Sequence, residues 1–530
     1  MADPDVDVLV VGAGITGIYQ LYRAREAGFS ATLLEAGTGV GGTWFWNRYP
    51  GARFDSESYT YGYLFSRELF EEWEWSEHFA GQPEIERYLN HVVDRFDLRR
   101  DIRFNSRVVE ARYDDTSSTW LVTTSDGRQT RTRFLVAATG VLSVPFFPVV
   151  PGRDDFGGRQ LHTGLWPAEP VELAGRRVAV VGTGSSGVQV IPAILDEVAE
   201  LTVYQRRPNW CTPLNNSPIT AAEQARLRAE FDSICETLNN SVSGFLHPVG
   251  TRGFAEDSEA ERRAFYEKLW AVPGFGKLIS NYFDVTFNLE ANASWCAFMA
   301  DKIRELVHDP DVAEQLIPDD HRYAEHRPPF VTRYFEAYND PKVTLVNLRR
   351  TPMLRLTRTG IETSEGVREH DVIVWATGFD FGTGALARMG IHGRNGLALT
   401  DAWSEGPATY LGVQAARFPN FFFPGGPHAA AGNNPRYNGD QVDFVMDLLL
   451  AARDRGATTI EVTTDAEDLW TSKIDKAARQ PPSFGESSYY FGTNIPGKPR
   501  KYLLNAAGRP KLMELIAKSK ANGFEPFVFS

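Results

Sequence analysis

Two stretches of this chain share one plan, and that repeat constrains the fold more than any other feature. Residues 6–37 and 176–207 each read as a β-branched strand, a glycine-rich turn, an amphipathic helix and a second strand. Each turn carries GxGxxG, formed by Gly12, Gly14 and Gly17 in the first unit and by Gly182, Gly184 and Gly187 in the second. One such motif is weak evidence, but two with correct flanks predict an α/β protein with two Rossmann-like dinucleotide-binding domains.

The residues that end the two units differ in charge. Glu35 lies 23 residues after Gly12, where a carboxylate accepts hydrogen bonds from ribose hydroxyls and repels a 2′-phosphate. Arg206 lies 24 residues after Gly182 and is followed by Arg207, so two cations stand where a 2′-phosphate would lie. A solvated surface pair is the alternative for these arginines. The charges predict FAD in the first site and NADPH in the second.

Two apolar runs that end in Ala-Thr-Gly, at 134–140 and 372–378, predict buried strands that close each nucleotide-binding domain. Helical spacing between them predicts an α-helical insertion in the second domain. The expected organisation is an FAD domain in two parts (1–142 and 383–530), an inter-domain linker (143–175), an NADP domain in two parts (176–215 and 326–382) and a helical subdomain (216–325).

Composition narrows the function. The formal charge of −13 argues against nucleic acid or an anionic membrane as a partner, because both require clustered Lys and Arg. The three cysteines form no CxxC pair, and the acidic start of the chain turns directly into a strand, so a reducing cytoplasmic location is expected. No metal site is expected, because His321 and His326 have no third ligand at useful spacing.

Two longer patterns are more specific. Residues 41–55, GGTWFWNRYPGARFD, fit [AG]GxWxxxx[FY]P[GM]xxxD, and residues 156–167, FGGRQLHTGLWP, fit FxGxxxHTxxW[PD]. With the two glycine motifs, they make the chain resemble the class B flavoprotein monooxygenases of the Baeyer–Villiger type over almost its whole length. That resemblance implies that NADPH, molecular oxygen and a small-molecule ketone are the substrates. In this family, reduced FAD and oxygen form a C4a-peroxyflavin, which attacks the carbonyl of the ketone. The tetrahedral adduct then rearranges to an ester or lactone.

The resemblance also assigns residues. Arg327 matches the catalytic arginine, which suits stabilisation of peroxide and oxyanion because a guanidinium does not deprotonate, and Asp55 is expected to pair with it. A surface ion pair for Arg327 and a turn-forming role for Asp55 are the alternatives. Thr43, Trp44, Phe45, Trp46, Tyr61 and Val108 are expected to contact the flavin. Thr183, Gly184, Ser185, Ser186, Gly187, Val188 and Gln189 are expected to wrap the NADPH pyrophosphate.

The chain departs from the family pattern at three places. His326 stands where relatives tend to have Lys, which leaves more of the 2′-phosphate binding to Arg206 and Arg207. Tyr489 lies in a mobile loop expected near 485–500 and replaces a Trp that, in the family, hydrogen-bonds the nicotinamide half of the cofactor. The resemblance therefore implies that the Tyr489 hydroxyl supplies this donor, with a different reach. The segment 425–440 replaces one that in relatives usually begins Gly-Pro-Gly or Gly-Pro-Asn and lines the substrate pocket. Its small residues at 429–432 indicate room for a cyclic or bulky ketone.

His162 lies between the two domains, so we interpret it as part of a hinge that moves the NADPH domain relative to FAD. A flavin monooxygenase acting on sulfur or nitrogen, and a non-catalytic flavoprotein redox sensor, are the competing hypotheses. A disulfide reductase is excluded because it requires a redox-active cysteine pair. A monomer or weak homo-oligomer is expected.

Overall fold

The computed structural model describes residues 3–429, 432–479, 488–505 and 507–530. The strands within these ranges are β1 Val6–Val11, β2 Ala31–Leu34, β3 Ile102–Arg103, β4 Val108–Asp114, β5 Thr119–Thr124, β6 Gln129–Ala137, β7 Arg159–His162, β8 Arg177–Val181, β9 Glu200–Gln205, β10 Thr212–Pro213, β11 Phe330–Val331, β12 Val343–Asn347, β13 Met353–Leu356, β14 Gly360–Thr363, β15 Gly366–Glu369, β16 Val372–Trp375, β17 Ile391–His392, β18 Phe421–Phe422, β19 Ile460–Val462 and β20 Phe527–Phe529.

The α-helices within the same ranges are α1 Ile15–Glu26, α2 Thr43–Trp46, α3 Ser58–Tyr61, α4 Arg67–Glu72, α5 Gln82–Arg95, α6 Ser185–Ile194, α7 Ala221–Ala229, α8 Phe231–Asn240, α9 Glu259–Ala271, α10 Gly276–Ile279, α11 Leu289–Leu306, α12 Pro310–Leu316, α13 Gly384–Ala387, α14 Leu399–Ala402, α15 Asn434–Arg455, α16 Thr464–Ala478 and α17 Gly508–Ala521. In the described ranges no helix is both long enough and apolar enough to cross a membrane.

The first sheet contains the first glycine unit. Its strand order is β17-β4-β5-β6-β1-β2-β3, with β18 paired to β6. β1 runs parallel to β2 and β6, whereas β5 runs antiparallel to β4 and β6. Because β17 and β18 come from the C-terminal part of the chain, that part returns to the first sheet. The long helix α15 packs against α1.

The second sheet contains the second glycine unit. Its strands lie in the order β12-β9-β8-β16-β7, and every pairing is parallel. The antiparallel strands β13, β14 and β15, which follow β12 and precede β16 in the sequence, form a separate small sheet. A parallel sheet of this kind is buried on both faces, which explains the almost continuous apolar sequence of β8 and β16.

The strand ends after β6 and β16 close the two glycine turns in the same way. A Cβ added to Gly12 would lie 2.7 Å from the carbonyl oxygen of Ala138, and one added to Gly182 would lie 2.5 Å from that of Ala376. Both glycines also have positive φ, at 104° and 106°. The Ala-Thr-Gly segments therefore lie directly against the turns, and only glycine fits there.

The helical insertion begins and ends at one place. β10 and β11 pair in parallel where the chain enters and leaves it. Helices α7 to α12 lie between them, in agreement with the helical spacing of the sequence there. Side chains of Thr220 and Ser258 cap α7 and α9 through capping boxes. The insertion has an aromatic core that includes Tyr282, Trp295 and Tyr323.

The linker expected at 143–175 is only partly a linker. Its residues 159–162 form β7, which pairs with β16 at the edge of the second sheet. The sequence gives no signal for this strand because RQLH is short and mostly polar, and only its last two residues are buried. His162 therefore ends a strand of the second sheet instead of lying on a free connector.

Candidate active site and nucleotide sites

The first glycine turn and Glu35 form one polar pocket. Glu35 is buried, and its Oε2 accepts a hydrogen bond from the Ala13 amide at 2.7 Å. Its Oε1 accepts another from the Gly37 amide, also at 2.7 Å. Burial raises the pKa of Glu35, and these two amides oppose the rise. The carboxylate is thus fixed beside the turn, with lone pairs left to accept from hydroxyl groups of a ligand.

The aromatic segment α2 lies next to this turn. Trp44 Nε1 donates to the Tyr61 hydroxyl at 3.0 Å, and burial raises the pKa of Tyr61 to about 12. The Phe45 ring packs on the loop at Gly37 and Gly39, where added Cβ atoms would lie 2.5 Å and 2.9 Å from it.

The other expected flavin contacts, Thr43, Trp46 and Val108, differ in their exposure. Thr43 is exposed and Trp46 is half-buried, so both can reach a ligand. The Val108 side chain is buried in a core cluster with Val11 and Leu34. Its side chain therefore packs in the protein core, which leaves its backbone as the part available to a ligand.

The second glycine turn is open to a ligand. A Cβ added to Gly184 would meet no atom within 4 Å, whereas one added to Gly187 would lie 2.2 Å from the Gly182 carbonyl oxygen. Helix α6 begins at Ser185, so its free amides point toward the open side of the turn. Ser186 lies in the first turn of α6, and the Val188 side chain belongs to the core of the second sheet.

Arginines mark the far end of the second unit. Arg206 and Arg207 are both exposed directly after β9. Arg207 Nε lies 3.0 Å from Asp320 Oδ2, and Thr183 Oγ1 donates to the Arg207 carbonyl oxygen at 3.1 Å. Asp320 also hydrogen-bonds His321 at 2.7 Å. The Asp320 carboxylate would therefore compete with a 2′-phosphate for Arg207.

His326 contributes no positive charge to this region. Its ring packs against the His321 ring, with centroids 4.5 Å apart. Burial and the neighbouring His321 lower the pKa of His326 to about 4. The side chain is accordingly neutral at pH 7, and the role of Arg206 and Arg207 in binding a 2′-phosphate stays a prediction.

The structure brings Arg327 and Asp55 together across 272 residues of sequence. Arg327 Nη2 donates to Asp55 Oδ2 at 2.7 Å, and Nη1 lies 3.3 Å from Ser185 Oγ. Asp55 is buried, and its Oδ1 makes no hydrogen bond within the described residues. Burial lowers the pKa of Arg327, but Asp55 together with Tyr489 and Tyr490 outweighs that effect, so the pKa is raised overall. The guanidinium is a permanent cation between the two nucleotide sites.

A loop from the first domain rests on α6 beside this pair. The Tyr49 hydroxyl donates to Gln189 Oε1 at 2.7 Å, and Gln189 Nε2 donates to the Arg53 carbonyl oxygen at 3.1 Å. Gly51 has φ of 82°, and an added Cβ would lie 2.6 Å from the Gln189 carbonyl oxygen. The sequence predicts Gln189 only as a pyrophosphate contact and assigns no role to Tyr49 or Gly51, although both belong to the long pattern at 41–55.

One aromatic ring lies against the guanidinium, that of Phe275, with the Arg327 Cζ 5.4 Å from the ring centroid. Tyr489 and Tyr490, whose ring centroids are 4.6 Å apart, act electrostatically on Arg327 and raise its pKa. Tyr489 is predicted as a contact of the nicotinamide half of NADP, which stays a prediction, whereas Phe275 and Tyr490 carry no sequence signal. Residues 485–487 of the expected mobile loop lie outside the described residues.

The small-residue segment is partly described. Ala429 is buried and Gly432 is exposed, whereas Ala430 and Ala431 lie outside the described residues. Asn433 joins this segment to two others, because its Nδ2 donates to the carbonyl oxygens of Thr60, at 3.1 Å, and Gly244, at 3.0 Å.

His162 has no exposed face for catalysis. Its Nδ1 accepts from the Gly164 amide at 2.9 Å, and its ring packs against Phe147 and Phe379. Burial lowers the pKa of His162 to about 4. The amide of Trp166 donates to the Trp46 carbonyl oxygen at 3.3 Å, so the segment that follows His162 touches α2 of the first domain.

The residues present fit two dinucleotides. Each turn offers a close approach to the backbone at a helix N-terminus, and only the first has a buried carboxylate at the end of its second strand. FAD would be held by the first turn, Glu35 and α2, and NADP by the second turn with Arg206 and Arg207. The fold and these sites define a flavoprotein oxidoreductase with paired nucleotide-binding domains.

Comparison with known proteins specifies the family. Residues 9–243 match the model of the pyridine nucleotide-disulphide oxidoreductase family. The chain is 41% identical over 538 residues to 2-oxo-Δ3-4,5,5-trimethylcyclopentenylacetyl-CoA monooxygenase of Pseudomonas putida, with 98% of each chain covered. It is 38% identical to cyclopentanone 1,2-monooxygenase of Comamonas sp. (strain NCIMB 9872), with 98% of this chain and 96% of that one covered.

A solved structure of OTEMO in complex with FAD and NADP superimposes on the whole chain. Its TM-score is 0.96 at 40% sequence identity, with 100% of both chains covered. The chain therefore belongs to the Baeyer–Villiger monooxygenase family, which confirms the resemblance found in its motifs.

Proposed function

We propose that this protein is an FAD-dependent Baeyer–Villiger monooxygenase that converts a ketone to an ester or lactone. The overall reaction consumes one ketone, O2, NADPH and a proton, and releases the ester, NADP and water. The observation that carries the proposal is the Arg327–Asp55 pair, because it fixes a permanent cation between the two nucleotide sites. FAD, once reduced by NADPH, supplies the activated oxygen.

Arg327 acts on the substrate side of this chemistry. Its guanidinium stabilises negative charge that develops on the carbonyl oxygen when the ketone is attacked, and it needs no proton transfer to do so. Asp55 holds the guanidinium through one of its oxygens. Phe275 packs beside the cation, and Tyr489 and Tyr490 act on it electrostatically.

The cysteines argue against disulfide reduction, despite the name of the matching family model. Cys211, Cys235 and Cys296 are free, and Cys211 is buried in the core of the second sheet. Burial raises the pKa of Cys235 and keeps that thiol protonated. A reductase of that type requires two adjacent thiols beside the flavin.

Product analysis under isotopically labelled O2 tests the proposal. The holoprotein is incubated with NADPH and a panel of cyclic, aryl and steroid ketones, and the products are identified by mass spectrometry. We expect an ester or lactone that carries one labelled oxygen, with NADPH consumption stimulated by the ketone. NADPH oxidation without ester from any ketone, or oxygenation of amines and sulfides alone, would overturn it.

We also propose that the substrate is a cyclic or bulky ketone. The small residues at 429–432 support this, because the corresponding segment lines the substrate pocket in the family that the motifs resemble. Comparing kcat/KM for bulky and small cyclic ketones tests it. A preference for small ketones would contradict it.

The remaining expectations concern the setting of the enzyme. We propose a cytoplasmic monomer or weak homo-oligomer, supported by three free cysteines, which suit a reducing compartment. Sedimentation velocity at increasing concentration tests the oligomeric state, and a stable large assembly at low concentration would contradict it.

A further inference from the structure

The chain crosses between the two nucleotide-binding domains at two segments, and these segments pair with each other. Residues 141–146 lead from the first sheet to the second, and residues 378–382 lead back. We call the two segments together the crossing ladder. A relative movement of the two sheets therefore acts on this ladder. Its backbone hydrogen bonds run from the amides of Phe146, Asp380 and Gly382 to the carbonyl oxygens of Gly378, Val144 and Val141, at 2.8, 2.8 and 3.0 Å respectively.

The middle of the crossing ladder lies against the second sheet. The Phe379 ring packs edge-on against the His162 ring, with centroids 5.7 Å apart, and His162 ends β7. β7 is the edge strand of that sheet. Pro145 pairs with Phe379 in an isolated antiparallel bridge, so both crossings are held at this contact. The ladder is thus in direct contact with the domain that carries the second glycine turn.

One lysine of residues 488–505 binds the ladder through its side chain. Lys498 Nζ donates to Asp380 Oδ1 at 2.7 Å and to the Phe381 carbonyl oxygen at 2.5 Å. The Lys498 and Asp380 side chains are only 10% and 15% exposed, so little solvent screens the pair. Removing one partner of such a buried pair leaves the other charge without compensation. The pair therefore fastens this segment to the ladder.

Other side-chain bonds hold the same segment. Asn494 Nδ2 donates to the Phe379 carbonyl oxygen at 2.8 Å, which adds another bond to the ladder. Lys501 Nζ lies 3.0 Å from Asp475 Oδ2 of α16, a helix whose buried apolar residues belong to the core around the first sheet. The two lysines therefore tie the segment to different places. Lys501 ties it to its own domain, and Lys498 ties it to the crossing between the domains.

We propose that Lys498 is a positioning residue that couples residues 488–505 to the crossing ladder, so that the second domain controls how tightly this segment is held. The contacts run from the end of β7 through Phe379 and Asp380 to Lys498. Asp380 is oriented for this role, because Arg388 Nη1 donates to its other oxygen, Oδ2, at 2.8 Å. The Arg388 side chain is 57% exposed, so that bond contributes less than the buried one.

Amide exchange measured by mass spectrometry in the FAD-loaded protein, with and without saturating NADP, tests this coupling. The amides of Ile495 and Leu503 report on the segment, since they donate to the Gly492 and Tyr490 carbonyl oxygens at 3.2 and 2.9 Å. Because NADP would bind to the second domain, we expect it to slow exchange of both amides in the parent by about fivefold or more, the lower end of typical coupling between sites. Unchanged exchange in the parent would overturn the proposal.

Lys498→Met removes the cation but keeps a side chain of similar length. Without NADP, we expect exchange of both amides to accelerate by about 10-fold or more, since hydrogen bonds from a charged group are lost. The effect of NADP should fall below about twofold. An undiminished effect would overturn the proposal, because the nucleotide would then hold the segment without the ladder. Asp380→Asn should reduce the effect as much, and the double variant no further. An additive loss in the double variant would contradict the pair.

Two matched controls separate coupling from general loosening of the segment. Lys501→Met removes another lysine of the same segment, and Arg388→Met removes the other partner of Asp380. Both variants should keep the effect of NADP on the two amides. Loss of that effect in Lys501→Met would overturn the assignment to the ladder, and its loss in Arg388→Met would overturn the role given to Lys498. None of these readouts uses a ketone, so this proposal and the proposed reaction can fail separately.

Discussion

Replacing Asp55 by Asn tests whether the carboxylate holds Arg327 in place. The substitution keeps the shape of the side chain but removes its charge, so the bond of 2.7 Å between Nη2 and Oδ2 becomes an ordinary one. Hydrogen bonds to charged groups contribute about 1.5–3 kcal/mol, against about 1 kcal/mol for a neutral pair. The Asp55 side chain is 5% exposed, so solvent cannot replace the lost interaction.

The interaction that orients Arg327 is therefore weakened by about 0.5–2 kcal/mol, which lowers ester formation by about 2- to 30-fold. The assay measures ester production and NADPH consumption in parallel, because a displaced guanidinium should reduce the first more than the second. Flavin content and the rate of flavin reduction by NADPH should stay within about twofold of the parent, a change of under ~0.5 kcal/mol.

A matched control is available in Glu314→Gln. Arg304 Nε lies 2.6 Å from Glu314 Oε1, but the two side chains are 48% and 58% exposed, so the pair should contribute little. We expect no measurable change in ester formation. An Asp55→Asn variant with parental ester yield and coupling would refute the reasoning that burial makes the first pair important.

Three further predictions follow from other parts of the structure. Asp320→Asn should lower KM for NADPH by about fivefold, or ~1 kcal/mol, because it frees Arg207, and an unchanged KM would contradict that competition. Gly51→Ala should destabilise the protein by at least about 2 kcal/mol more than Gly127→Ala in thermal unfolding, since both glycines have positive φ but only Gly51 lies against α6. Folding stability should fall as the pH drops from about 6.5 to 4, by up to ~1.4 kcal/mol per pH unit for each of His162, His370 and His428. Their pKa values are lowered to about 4 by burial, so the unfolded chain binds protons that the folded chain cannot. His370→Asn should flatten the slope in urea titrations, and an unaltered slope would argue against this origin.

The sequence predicts the two Rossmann-like units because their signals are local. Gly12 and Gly182 are required by a turn within a few residues, and the apolar runs of β6 and β16 extend over a whole strand. β7 is different, because four mostly polar residues become a strand only when β16 lies beside them. No local pattern encodes that pairing, which explains why this part of the linker was misassigned.

Some residues of the candidate active site could likewise be predicted from local motifs, and others could not. Asp55 and Arg327 could be proposed from motif positions, and the structure places them in contact. Their roles in catalysis remain predictions. Phe275 and Tyr490 could not be found from the sequence, because they reach Arg327 through packing between the helical insertion and the C-terminal part of the chain. Such contacts depend on the tertiary fold and leave no spacing pattern in the sequence.

Single-turnover analysis of Arg327→Ala tests the central claim most directly. The variant and the parent are mixed with NADPH, and flavin reduction is followed by absorbance before oxygen and a ketone are added and the product is quantified. We predict that both proteins reduce the flavin, because the two nucleotide sites are intact, and that only the parent forms ester. Ester formation by Arg327→Ala at the parental rate would contradict the account.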